Sequence, residues 1–436
     1  KNIPIDLYDY AICQSYIDTL SRHDVLIRQS SRWLNAVSIQ IKSQSVLDSL
    51  LSYGFVRKIK PVLKLKLENR HPSNDIIYLN NPLRVSSSLS YGASFNQIDM
   101  LGGVGLHNEG YLGSGINIAV FDAGFTGVES LPIFDNLWQN NQIIETYDFV
   151  DNDIDVFTGS VHGTMVLSTM GGYMPDSLIG TAPDANYMLF RTEDTASETL
   201  IEEDYWSAAA EYADSVGVDI INSSLGYTIL YDDTLNSHSY SDMDGNSTII
   251  TRAADLAASR GILVVNSAGN SGNNDWYYIG APADGDSVLA VGAVNSIGQI
   301  ASFSSRGPTY DGRIKPNICA QGVLSVVADQ DSTIRYANGT SFSAPIVAGL
   351  SACLWQALSN QTSNVSNMDV FQIIQESSHL FQNPNDSLGY GIPNFYLGFL
   401  NTIDYHSNNL KVYPNPYNDH FVIDHHFRDE SFIKIY

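Results

Sequence analysis

Cysteine is scarce in this chain. Its 436 residues hold three, Cys13, Cys319 and Cys353, with no CxxC spacing. That removes zinc ribbons and thioredoxin-like redox sites. Two readings stay open: a Cys319–Cys353 bond, if Cys13 belongs to a removable segment, or three small buried apolar residues. Positive charge is scarce too. Lys and Arg number 22 against 47 Asp and Glu, a formal net charge of −25. Such a surface repels phosphate backbones and anionic bilayers, so nucleic acid is not an expected partner. A long apolar run is also missing. The nearest, residues 343–358, is uncharged but holds Pro345, Gly349 and two serines. It is shorter than the ~20 residues of a membrane span and predicts a helix buried in a core instead. No charged-then-apolar leader follows Lys1, so the chain is expected to begin after processing. At 44% hydrophobic residues it is not disordered, and its length suggests roughly two to four domains.

The organisation changes along the chain. Residues 34–41 alternate as a strand, and Val46, Leu47, Leu50 and Leu51 repeat at helical spacing up to Gly54. Residues 55–62 read as a further strand. Arg57, Lys58, Lys60, Lys64 and Lys66 make this small α/β unit, residues 1–67, basic in an acidic chain, so it is expected to dock on an acidic neighbour. Residues 68–97, with Pro72, Asn80, Asn81, Pro82 and serines 86–88, read as a linker. Residues 98–400 alternate strand and helix: strands near 118–121, 218–221 and 261–265, helices over 204–216 and 249–259. That predicts an α/β domain with a mostly parallel sheet. Residues 227–246 read as a polar surface insertion. Residues 408–436 open a small β module that is expected to be truncated at Tyr436.

Three strings carry chemistry. Ile118-Ala119-Val120-Phe121-Asp122 puts an acid at the carboxyl end of an apolar strand, where open α/β sheets hold their sites. Val161-His162-Gly163-Thr164 puts a histidine at the start of a helical run. Asn338-Gly339-Thr340-Ser341-Phe342-Ser343-Ala344-Pro345 puts a serine at a tight entry to an apolar helix, whose first N–H groups favour a developing negative charge. Taken singly, a strand-end Asp is commonly a turn residue, a lone His a structural one, and a Ser in such a turn an N-cap. The order Asp, His, Ser is one of the three known for serine hydrolases.

With those strings the sequence resembles the subtilisin-like serine peptidases, the subtilase family, over about residues 105–358. Ala123 stands where the family usually has Thr or Ser. The resemblance implies a subtilisin-like three-layer α/β domain. It implies a triad of Asp122, His162 and Ser341, and Asn270 in Asn266-Ser267-Ala268-Gly269-Asn270 as the oxyanion donor. Substrate would bind along Ser224, Leu225 and Gly226, with Ser267, Ala268 and Gly269 forming a pocket wall. Asp148, Asp151 and Asp153, ahead of His162, resemble a family calcium loop. Six to eight oxygens suit that ion, while a solvated acidic loop accounts for the same residues. Calcium would anchor the loop and take no part in bond cleavage, and no cofactor is implied for the chemistry. The first unit resembles an inhibitory propeptide, with cleavage expected between residues 67 and 95. Tyr413-Pro414-Asn415-Pro416 with Phe421-Val422-Ile423 resembles the start of a type IX secretion sorting domain, which implies a secreted or cell-surface protein and contact with an export machinery. The expected activity is endopeptidase action on polypeptides through an acyl-enzyme. A peptide-binding module on the same fold and a peptide ligase are the alternatives.

Overall fold

The computed structural model describes residues 5–41, 43–60, 89–196, 199–228, 237–331, 333–407, 411–414 and 421–424. The N-terminal unit holds helices α1 (Gln14–Leu20) and α2 (Gln44–Leu51) around an antiparallel hairpin of β1 (Val25–Ser31) and β2 (Ala36–Ile41). The third strand expected over 55–62 is not formed by its described residues, 55–60. Phe55 instead stacks on Tyr16 and Tyr53, with ring centroids 4.3 and 5.3 Å apart. Aromatic stacking there replaces strand pairing. Most of the expected linker and the cleavage window fall in residues 61–88, outside the described residues, as do Lys64 and Lys66.

After helices α3 (Phe95–Asp99) and α4 (Gly103–Asn108), strand β3 (Asn117–Asp122) opens the main sheet. Helix α5 (Asp135–Gln139), strand β4 (Ile143–Asp148) and helix α6 (His162–Gly171) follow. A two-residue pair comes next, β5 (Tyr173–Met174) with β6 (Leu178–Ile179). Then come β7 (Asn186–Arg191), α7 (Ile201–Ser215), β8 (Ile220–Ser223), α8 (Ile249–Ser259), β9 (Leu263–Ser267), β10 (Val288–Val294) and β11 (Ile318–Gln321). A hairpin of β12 (Ser325–Ala328) and β13 (Ile334–Ala337) leads into α9 (Thr340–Ser359), and α10 (Asn367–Glu376) and α11 (Phe395–Ser407) close the domain. A last antiparallel pair, β14 (Lys411–Pro414) and β15 (Phe421–Asp424), bears out the strands expected near the end.

The central sheet runs β11-β10-β9-β8-β3-β7-β4, and every pairing in it is parallel. Such strands are covered on both faces and are apolar throughout rather than alternating. Accordingly β9 and β10 are buried along their whole length. Helices α6 and α9 cover one face over one large core, and α7 and α8 cover the other over a second core. Among the described residues α9 is the one helix long and apolar enough to cross a membrane. Seventeen of its twenty residues are buried against the sheet and neighbouring helices, so it is the core helix expected. Cys319 and Cys353 are buried and unbonded; burial pushes the Cys319 thiol up to about 12. Cys13 is exposed, so only two of the three are buried.

The N-terminal unit sits on the α7–α8 side. The β1–β2 turn drives Trp33 into the second core, while Ser31 Oγ and the backbone N–H groups of Arg32 and Trp33 donate to the Glu211 carboxylate on α7. Ser38 donates to Asp204, and Gln29 Nε2 donates to the Phe149 carbonyl at 2.8 Å. The expected acidic docking face is there. The described basic residues 57, 58 and 60 are not its partners in these contacts. Arg32 pairs with Glu211 and Asp214 at 3.7 and 3.8 Å, and Arg260 of the main domain pairs the other way with Asp6 and Asp9 at 2.5 and 3.6 Å.

Candidate active site

Every site residue predicted from the family motifs follows the carboxyl end of a parallel strand or starts a helix beside it. In the sheet, β3 lies between β7 on one side and β8 on the other. The chain leaves β3 for β4, returns through β7 and crosses to β8, which opens a crevice at this end. Asp122 is the last residue of β3. Residues 224–226 follow β8, and 267–270 end and follow β9.

Asp122 is fully buried. Its Oδ1 accepts from the Ala123 N–H at 2.8 Å and from His162 Nδ1 at 2.8 Å. The carboxylate accepts only, so Nδ1 carries the ring proton and Nε2 is left with a lone pair. The glycine after His162 makes this contact reachable. A Cβ at Gly163 would lie 2.4 Å from the Gly124 carbonyl and 2.8 Å from the Phe125 ring, so only glycine lets α6 start this close to the turn after β3. Gly124 itself has φ +136° and would place a Cβ 2.1 Å from the Thr158 carbonyl. The His162 side chain keeps 31% of its surface exposed. Burial works against its cation, but the charge and hydrogen bond of Asp122, with the charge of Glu193, raise its pKa above the ordinary imidazole value.

Ser341 is the second residue of α9. Pro345 lies four residues on and has no N–H, so the Ser341 carbonyl loses its intrahelical donor. It accepts instead from Ser224 Oγ at 2.9 Å, and Ser341 Oγ donates back to the Ser224 carbonyl at 3.3 Å. That reciprocal pair ties the helix start to the end of β8. The Ser341 N–H is one of the first-turn groups without an intrahelical acceptor.

Asn270 Oδ1 accepts from the Thr340 N–H at 2.9 Å and from Thr340 Oγ1 at 3.0 Å. A backbone donor fixes that atom as the oxygen, so Nδ2 is directed away from it as a donor. Asn266, by contrast, is buried and spends Nδ2 on the carbonyls of Leu225 and Ser267.

One cavity of about 330 Å³ gathers these groups. His162, Ser341, Asn270, Ser224, Leu225, Gly226, Ser267, Ala268 and Gly269 all line it, together with Ala123, Glu193, Thr228, Ser271, Gly280 and Ser305. Asp122 lies behind His162. The expectation passed over Glu193. It belongs to no motif, and its one signal in the sequence is its place two residues past the apolar strand β7.

Asp148, Asp151 and Asp153, the residues of the calcium expectation, all accept hydrogen bonds from the protein itself. Asp148 Oδ2 and Asp151 Oδ2 both accept from Arg191 Nη1, at 2.6 and 2.7 Å. Asp148 Oδ1 also accepts from the N–H groups of Val150 and Asp151, and Asp153 Oδ1 from that of Asp155. Among the described residues no three acidic, histidine or cysteine side chains gather to hold a metal. A buried guanidinium thus stands between Asp148 and Asp151.

Comparison with known proteins places the chain among peptidases of this fold. The family model for the subtilase family, peptidase S8, matches residues 113–394, and a Bacteroidota peptidase S8 propeptide domain matches residues 1–75. A thermophilic serine proteinase of Bacillus sp. (strain AK1) is 32% identical over 65% of this chain and 61% of its own length. Subtilisin E of Bacillus subtilis (strain 168) is 30% identical over 62% of this chain and 61% of its own. The match thus spans about three-fifths of these two relatives. The subtilisin of Bacillus pumilus is 30% identical, with 85% of its length covered. Among solved structures, the MycP3 protease of the type VII (ESX-3) secretion system superposes with a TM-score of 0.57 at 20% identity, over 72% of this chain and 90% of that one. With its sheet order, its site at the strand ends and a family match across most of its length, this chain belongs to the subtilase family.

Proposed function

We propose that the protein is a serine endopeptidase of the subtilisin type, made as a zymogen and acting outside the cytoplasm. One observation carries the reading: the Asp122–His162 pair opens onto the cavity that Ser341 and Asn270 also line. His162 Nε2 takes the Ser341 proton as Oγ turns from the Ser224 carbonyl to attack a substrate carbonyl carbon. Asp122 holds the ring tautomer and stabilises the imidazolium. The Ser341 N–H and Asn270 Nδ2 receive the oxyanion. His162 then protonates the leaving amine, and water repeats the sequence on the acyl-enzyme. An extended substrate lies along residues 224–226 through main-chain hydrogen bonds, with alternate side chains entering the cavity.

The N-terminal unit is read as the intramolecular inhibitor, supported by its propeptide family match and its docking on α7. The motif over residues 413–423, whose described residues fall in the β14–β15 pair, supports export through a C-terminal sorting domain. The test is hydrolysis of a fluorescent casein by the full chain after incubation. Turnover that vanishes in Ser341→Ala supports the proposal; a folded wild-type chain that cleaves no peptide bond overturns it.

A further inference from the structure

We infer that Glu193 forms a cation-selecting subsite, which favours a lysine or arginine immediately before the residue whose carbonyl is attacked. This rests on the peptidase reading above and adds a substrate class to it.

The cavity lining contains no lysine or arginine, and its ionisable side chains are His162 and Glu193 alone. Glu193 is fixed in place: Tyr227 Oη donates to its Oε1 at 3.0 Å, and Tyr227 is a buried residue directly after the 224–226 edge. A ligand on that edge therefore meets the carboxylate in a set position.

The sheet order says which substrate residue meets it. The pocket walled by residues 267–269 lies on the β9 side of the β8 end. Glu193 lies on the other side, past β3, at the end of β7. Successive side chains of an extended peptide point to opposite sides. If the residue bearing the attacked carbonyl fills the β8–β9 pocket, the residue before it faces His162 and Glu193. A lysine or arginine there brings a cation to a carboxylate already confined by a tyrosine, beside small walls at Gly226 and Gly280. The net charge of −25 steers basic substrates toward the cleft from farther away. The same carboxylate would repel an acidic side chain.

The test uses peptide amides with a coumarin leaving group that differ only in the penultimate acyl residue: lysine, the neutral isostere norleucine, or glutamate. The full chain should cleave the lysine peptide with kcat/KM about two- to fivefold above norleucine, the range of one partly solvated charge pair, with glutamate lowest. The ratio should fall as salt rises from 0.05 to 0.5 M. Glu193→Gln should bring the lysine-to-norleucine ratio to about 1, and Glu193→Lys should invert the order of lysine and glutamate. Salt dependence in the wild type needs no variant, so a variant that fails to fold does not shield the inference. Equal rates on lysine and norleucine at low salt would overturn it, while leaving the peptidase reading intact. No Ser341-dependent cleavage of any of the three would overturn that reading itself.

Discussion

Asn270 has two jobs on two different atoms, and they can be separated. Its Oδ1 accepts from Thr340 at the start of α9, and in the proposed mechanism its Nδ2 donates to the forming oxyanion. Asn270→Ala removes both; Asn270→Asp keeps the acceptor and removes the donor. Both should lose about 10²–10³ in kcat, the general magnitude for one oxyanion donor. Thermal melts should show the alanine variant to be the less stable. His162 sets the acid limb of activity. Its ring must be neutral to take the serine proton, and Asp122 and Glu193 raise its pKa. Activity should therefore fall as pH drops through a midpoint above 6.5, and kcat/KM profiles should place that midpoint lower in Glu193→Gln. Asp122, His162, Ser341 and Asn270 were all legible in the sequence, because each sits in a short string whose neighbours shape the local backbone. Gly163 before the Gly124 turn, and Pro345 four residues past Ser341, are the physical content of those strings. Glu193 was not legible, since its role depends on β7 lying beside β3.

At the scale of elements, the segment between β4 and α6 is held by a side chain from a neighbouring strand. Asp148 and Arg191 are register partners of β4 and β7, and the guanidinium, 8% exposed, bridges Asp148 and Asp151. The cation beside the acidic string is Arg191, 40 residues past Asp151, where no local pattern reveals it. Removing one partner of a buried charge pair costs about 3–5 kcal/mol. Arg191→Met should lower the melting temperature by several degrees and loosen the loop ahead of His162, whereas EDTA should leave the melt of this loop unchanged. A melt that falls with EDTA and recovers with calcium would contradict the account. The expected helix at 204–216 and strand at 218–221 were placed within a few residues of α7 and β8, because apolar spacing marks them. The strand expected at 55–62 shows the limit of that signal: its described residues, 55–60, form none, and Phe55 stacks on Tyr16 and Tyr53 instead.

Among the described residues two large cores lie on either side of one sheet, with the N-terminal unit closing part of the second through Trp33. That docking should depend on pH. Burial, partly countered by the hydrogen bond from Ser38, raises Asp204 to about 6. A carboxyl raised in the docked form holds a proton there that the open form gives up. Its contribution is complete below the ordinary value of 3.8 and is lost as pH rises through about 6. Asp6, paired with Arg260, is lowered, so its contribution is lost as pH falls below the ordinary value. Docking should therefore be strongest between about pH 4 and 6 and weaken toward neutrality. Trp33 emission, isolated by difference from Trp33→Phe in a Ser341→Ala background, should shift red as pH rises past 6. A constant emission from pH 5 to 8 would count against this pH dependence.

In the proposed mechanism a carboxylate, an imidazole and a hydroxyl from three distant strings act as one nucleophile. A fluorophosphonate probe tests it most directly, with the adduct mapped by mass spectrometry on the incubated full chain. The account predicts a single adduct on Ser341 that disappears in His162→Ala. A folded chain that stays unlabelled, or a Ser341 adduct that forms equally well without His162, would contradict it.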